Sequence, residues 1–244
     1  MSSFTQIMQM ARSSILANLS NLDVVSNNLA NINTAGYKTS RLNFQELLTE
    51  KNKQGVQEVS TQANFKQGVV NYTGRALDIM ISGHGFFGIE MGNGDIAYTR
   101  DGAFSLDGNS NIVDSVGNHL VWDGEIPDGT TKVEINESGG VRAYVEGVWQ
   151  DVGQIQLYEF NNPSGMRLIG DSLRLATDES GTAIEGLPNE EGYGYIIDES
   201  LEASNVDYAT ELVKMITLQR SFDVSIQNLQ QTDQMMGMAI NMRR

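Results

Sequence analysis

The 244-residue chain contains no cysteine and only three prolines, Pro127, Pro163 and Pro188. Without cysteine there is no disulfide framework, no thiolate metal site and no thiol nucleophile. That absence also suits a protein working outside the cytoplasm without oxidative cross-links. Histidine is nearly missing too. His84 and His119 lack H-x-x-x-H spacing, so a zinc site would need carboxylates that no motif singles out. No apolar run approaches the roughly 18 residues that a membrane span requires. The N-terminus has no basic stretch leading into an apolar core, so neither a membrane insertion nor a signal peptide is expected. Aromatic residues are 7% against 40% hydrophobic overall, which points to a modest, spread-out core.

Positive charge is scarce. Sixteen Lys and Arg face 31 Asp and Glu, a net charge of −15, which excludes a nucleic-acid backbone as partner because that needs a basic face. The charge is also unevenly placed: residues 1–33 and 204–244 are each neutral, residues 34–83 carry +2, and residues 84–203 carry −17. The middle of the chain therefore reads as an acidic, solvated body between two ends of different character.

Two segments imitate functional motifs. Gly83, Gly85 and Gly88 in "ISGHGFFG" satisfy the G-x-G-x-x-G pattern for dinucleotide phosphates. A strand over "ALDIMI" (76–81) can feed it, but a helix must leave it. The residues after Gly88 are instead dense in Gly, Asn and Asp, with turn pairs at Asn93-Gly94, Asp101-Gly102 and Asp107-Gly108. Hairpins are expected there, with Phe86 and Phe87 packed in a β core. Asp107–Ile112 begins like a calcium loop, but Ile112 occupies the position where such a loop needs glycine, and turn chemistry explains it better. There is no G-x-S-x-G elbow, and among 31 acids some pair always looks suggestive. No catalytic, cofactor-binding or metal-binding residue is assigned.

The ends carry a different pattern. Phe4, Met8, Ala11, Ile15, Leu19, Leu22, Val25, Leu29 and Ile32 recur at a mean spacing of 3.5, a coiled-coil seam. Tyr208, Leu212, Met215, Gln219, Phe222, Ile226, Leu229, Asp233, Met236 and Ile240 continue it at the other end in strict 4-3 alternation, with Gln219 and Asp233 read as polar residues that set alignment. Met235, Met236 and Met238 read as adaptable apolar filler. Ser204 and Asp207 have the S-x-x-D form of a capping box. Such helices, rich in Ser, Gln and Asn, need a partner to be stable. The fold expected is α+β: an N-terminal helix over 1–33, an extended connector with short strands over 34–82, an acidic, mainly antiparallel β domain over 83–200, and a C-terminal helix over 201–244 that packs with the first as a coiled-coil pair. The polar run 49–64 is expected to be extended or mobile.

The segment Asn27, Asn28, Leu29, Ala30, Asn31 through Thr34, Gly36, Tyr37 and Lys38, "NNLANINTAGYK", resembles the N-terminal signature of the flagellar rod and hook family. "TGRALDIMISGHGFFGIE" (73–90) and "AYTRDGAFSLDGNSNIVDSVGNHL" (97–120) resemble its middle segment. "LEASNVDYATELVKMITLQRSFD" (201–223), with Ser204, Asn205 and Val206, resembles its C-terminal signature. Blocks 153–177 and 192–206 are most similar to the distal-rod branch, while the shorter stretch between Phe44 and Phe65 keeps the proximal-rod branch as the alternative. The resemblance implies a structural subunit of the flagellar basal body, outside the cytoplasmic membrane, exported without a cleaved signal peptide. It implies a helical homopolymer whose terminal helices pack inward, with other rod proteins and the hook protein as axial partners and ring proteins around it. Leu19, Leu22, Val25, Leu29, Ile32, Leu212, Met215, Phe222, Ile226 and Leu229 are the expected assembly seam. A different class of reading, a secreted acidic β domain that binds a ligand and merely oligomerises through its helices, predicts helices stable in isolation.

Overall fold

The computed structural model describes residues 2–49 and 53–241. Its architecture is α+β: two long helices, α1 (Ser2–Ala30) and α2 (Tyr208–Asn241), and a mainly antiparallel β region. The chain divides into two compact units. One comprises residues 1–32, 39–64 and 206–244, the other residues 33–38 and 65–205.

The first unit holds both helices and a long hairpin of β1 (Ser40–Thr49) and β2 (Lys53–Ala63), paired from Ser40 with Ala63 to Thr49 with Lys53 and bulged at Asn43/Phe44. The polar run expected as an extended or mobile connector is thus largely strand; residues 50–52 lie outside the described set. Val56, Val59 and Thr61 favour a strand there, and the backbone groups of the run find partners across the hairpin. Within this unit α1 packs against α2 and against both strands. No helix among the described residues is long and apolar enough to cross a membrane.

The second unit is built on a seven-stranded antiparallel sheet around β3 (Phe87–Glu90) and its neighbour β4 (Ile96–Thr99), together with a four-stranded sheet and three two-stranded ladders, one of which joins Val70–Tyr72 to Ser200–Glu202. The four-stranded sheet runs Trp122–Gly124, Val148–Ile155, Gly140–Val145, Lys132–Ile135. Strand alternation explains the "GFFG" stretch. Phe87 enters the aliphatic core with Ile79, Ile81, Ile89, Ile135, Val141 and Ile155. Phe86, one residue earlier, enters a separate aromatic cluster with Tyr98, Tyr158, Phe160 and Met166. Gly88 lies under the Tyr158 ring, where a Cβ would stand 2.5 Å from Cε2. The glycine motif ends inside β3 and does not open a helix, so it lacks the context for phosphate binding and serves close packing.

The Asp107 turn is an Asx turn: Asp107 Oδ1 accepts hydrogen bonds from the Asn109 and Asn111 amides, at 2.8 and 2.7 Å. Asp114 repeats the arrangement toward the Val116 and Asn118 amides.

Candidate functional site

Along α1, Met8, Ala11, Ile15, Leu22 and Leu29 are half-buried, Val25 is buried, and Leu19 is 39% exposed. Ile32 falls in the turn after the helix, where the Asn31 amide bonds back to the Asn27 and Asn28 carbonyls. Asn27 and Asn31 cap their own chain through side-chain bonds to the Asp23 and Asn27 carbonyls. Along α2, Leu212, Met215, Phe222, Ile226 and Leu229 are half-buried. Gln219 and Asp233, expected in the seam, are exposed; Leu218 and the buried Thr232 turn inward in their place. The covered residues Glu211, Met215, Leu218, Phe222, Ser225, Leu229 and Thr232 keep a 4-3 alternation of their own, on a line that takes the residue before Gln219 and the residue before Asp233. The side chains of Phe4, Met236 and Ile240 lie outside the described residues.

The helix start also differs from expectation. Asp207, not Ser204, caps α2: its Oδ1 accepts from the Thr210 amide at 2.7 Å, because the helix begins at Tyr208 and Thr210 is its third residue. A bond with the Thr210 side chain, the larger effect, and that amide bond hold the Asp207 carboxyl below its ordinary value.

Asn28 is 1% exposed and joins three elements of the first unit. It donates to the Ser40 carbonyl at 2.9 Å, accepts from the Ser40 amide at 2.9 Å, and donates to Glu211 Oε2 at 3.3 Å. Glu211 in turn accepts from Lys214 Nζ at 2.6 Å. Sequence reasoning places Asn28 in a signature and misses Glu211 altogether. The available signal is an acid lying on the line of α2 that Met215, Leu218, Phe222 and Leu229 continue.

The rest of the N-terminal signature belongs to the second unit. Gly36 has φ of +65°, donates to the Glu202 carbonyl at 2.8 Å, and sits so close to the Arg100 backbone that a Cβ would meet it at 2.4 Å. Lys38, 2% exposed, forms a 2.5 Å ion pair with Glu202 Oε1 and donates to the Lys66 carbonyl at 3.1 Å. Glu202 also receives the Gly68 amide at 2.7 Å, with Arg100 Nη1 3.8 Å from its Oε2. Burial pushes the Lys38 ammonium and the Arg100 guanidinium below their usual values, and Glu202 opposes both shifts. Thr34, Ala35 and Tyr37 complete this turn, with the Tyr37 amide bonded to the Thr34 carbonyl. At the other signature, the Asn205 amide donates to the Tyr37 carbonyl and its side chain to the Lys66 carbonyl, while Ser204 is half-buried. Val206 is buried and opens the C-terminal stretch of the first unit.

Two faces of the helices have room for more. Asn18, which donates to Ser221 Oγ at 3.2 Å, lines with Leu19, Leu22, Leu218 and Phe222 a cavity of about 240 Å³ between α1 and α2. On α2, Val213, Ile216, Val224, Met235 and Met238 are 49–63% exposed and fall within an arc of about 100° at 3.6 residues per turn. No group of three or more potential metal ligands occurs among the described residues.

Comparison with known proteins is consistent along the whole chain. Residues 8–38 match the family described as "Flagella basal body rod protein", residues 80–143 the "Flagellar hook protein FlgE/F/G D1 domain", and residues 197–242 the "Flagellar basal body rod FlgEFG protein C-terminal". The flagellar basal-body rod protein FlgG of Caulobacter vibrioides is 35% identical, covering 98% of this chain and 99% of its own. Its counterpart in Buchnera aphidicola subsp. Acyrthosiphon pisum is also 35% identical, over 88% and 91%. The flagellar hook protein FlgE of Salmonella typhimurium is 39% identical over 45% of this chain and 28% of its own.

Proposed function

This chain belongs to the flagellar basal-body rod and hook family as a FlgG-like structural subunit and not an enzyme, and from that premise we propose that it polymerises with copies of itself into the distal rod. In this reading the rod is a tubular shaft in the cell envelope that transmits torque from motor to hook. The observation that carries it is the alignment of FlgG rod proteins over nine-tenths or more of both lengths, as with Caulobacter vibrioides. Assembly with other rod proteins and with the hook protein accompanies family membership. Ring proteins around the shaft, and export without a cleaved signal peptide, belong to the same proposal.

The terminal helices form a coiled-coil-like pair in the assembled rod, with the β body carried between them in sequence. Support comes from what each helix leaves uncovered. Val213, Ile216, Val224, Met235 and Met238 offer an apolar strip, and the cavity between Leu22 and Phe222 marks loose packing within one chain. Helices of one subunit then complete their burial against neighbours, and the contacts are heterologous because a helical array does not close. Leu19, Leu22, Val25, Leu29, Ile32, Leu212, Met215, Phe222, Ile226 and Leu229 carry that packing. The −17 carried by residues 84–203 keeps the outer body solvated.

Replacing Leu29 or Phe222 with Asp in cells lacking the native protein tests the reading. Loss of rod extension and motility is expected, while the fluorescence of Trp122 and Trp149 stays native in the purified variant. Normal motility with either substitution would overturn it.

A further inference from the structure

Beside the Lys38–Glu202 pair, within the second unit, lies a small cavity of about 10 Å³, lined by Lys38, Arg100, Arg174, Ser172, Phe65 and Phe86 among others. About one water-sized sphere fits a space of that kind. Its charge balance is unusual. Lys38, Arg100 and Arg174 are 2%, 6% and 7% exposed, and the carboxylate that pairs with two of them is Glu202 alone. Arg174 pairs with no carboxylate among the described residues; its guanidinium stacks 5.0 Å from the centre of the Phe65 ring. Arg100 stacks likewise on Phe86, at 5.1 Å.

Three buried cations against one buried carboxylate leave an excess of two positive charges in low-dielectric surroundings, which is expensive unless something neutralises it. Two polar atoms of the lining also lack partners among the described residues: Arg100 Nε and Ser172 Oγ are buried without a hydrogen bond. A water molecule could satisfy those donors but would leave the charge. A carboxylate, sulfate or phosphate exceeds the space.

We propose that this cavity binds a monatomic anion, chloride in ordinary solution, held between the Arg174 and Arg100 guanidinium groups with the Ser172 hydroxyl donating to it. The anion offsets one of the two excess charges and ties the 170–174 turn to the strand end that carries Arg100. Repulsion among the cations supports the same picture: besides burial, the largest influence, both Arg100 and Arg174 push the Lys38 ammonium down.

Thermal unfolding of the full chain, followed by Trp122 and Trp149 fluorescence, tests this when chloride is exchanged for gluconate at constant ionic strength. Above half-saturation each tenfold increase in chloride should raise the midpoint by about 3–5 °C. Arg174→Met, which keeps an apolar stem against Phe65, should remove that slope. A midpoint indifferent to chloride, or an equal slope in the variant, would overturn the proposal. Should the variant not fold, crystals of the unaltered chain soaked in bromide decide the matter. An anomalous peak within hydrogen-bond reach of Arg174 and Ser172 supports the site, and ordinary water density without such a peak removes it.

Discussion

Asn28 on α1 and Glu211 on α2, 183 residues apart in sequence, meet through a 3.3 Å hydrogen bond while Asn28 holds the first residue of β1 by two further bonds. A single buried amide thus fastens the end of one helix, the start of the hairpin and the first turn of the other helix. Its shape makes this possible: one carboxamide supplies both a donor pair and an acceptor, which Asp or Leu cannot.

Asn28→Ala is therefore expected to cost about 2–4 kcal/mol of stability in the first unit, since it leaves the Ser40 amide and carbonyl without their partner. Urea unfolding followed by circular dichroism at 222 nm measures it. An unchanged helix transition would mean that water replaces the amide without loss.

The Lys38–Glu202 pair predicts an asymmetry. Glu202→Gln strands two buried cations and should destabilise the β body by about 3–5 kcal/mol. Lys38→Met should cost less, because Glu202 keeps the Gly68 amide and Arg100. The comparison is read from tryptophan fluorescence in urea, and equal losses would contradict the arrangement.

Gly88→Ala should destabilise by about 1–3 kcal/mol, because the new methyl group displaces the Tyr158 ring from a packed aromatic cluster. Gly92→Ala, with nothing within 4 Å of the added atom, is the control and should stay within about 0.5 kcal/mol of the parent. Thermal melts of the two variants suffice.

Acid should loosen the start of α2. The folded Asp207 carboxyl titrates below its unfolded value of about 3.8, so its stabilisation is complete above that pH and is lost as pH falls through the lower folded value. Asp207→Asn retains a capping oxygen that does not titrate. Between pH 6 and 2 the variant should lose less helix signal than the parent, and superimposable titrations would refute the assignment.

Periodic features are legible in the sequence and singular ones are not. The helical stripes through Val25, Leu29, Phe222 and Leu229 appear from spacing alone, as does the hairpin chemistry after Gly88. Lys38 and Glu202 are separated by 164 residues, and nothing local in either segment announces the other. Ser204 and Asp207 both have N-cap chemistry, and the choice falls to Asp207 because the Asn205 amide and side chain are bonded to Tyr37 and Lys66, which holds the chain extended there. Gln219 and Asp233 fall off the packed face because apolar spacing alone fits two neighbouring lines of α2, and burial follows the one through Glu211, Met215, Leu218, Phe222 and Leu229.

The bond from the Asn205 side chain to the Lys66 carbonyl, 2.7 Å long, bears on the order of folding. Bringing Asn28 to Glu211 in an unfolded chain closes a loop of 183 residues, an entropic cost roughly 2–3 kcal/mol above that of a 12-residue loop. A body that folds first brings Lys66 and Asn205 together and removes most of that loop before the helices meet. With Lys66 and Asn205 held together, the β body is a clasp that turns a distant encounter between the two helices into a local one.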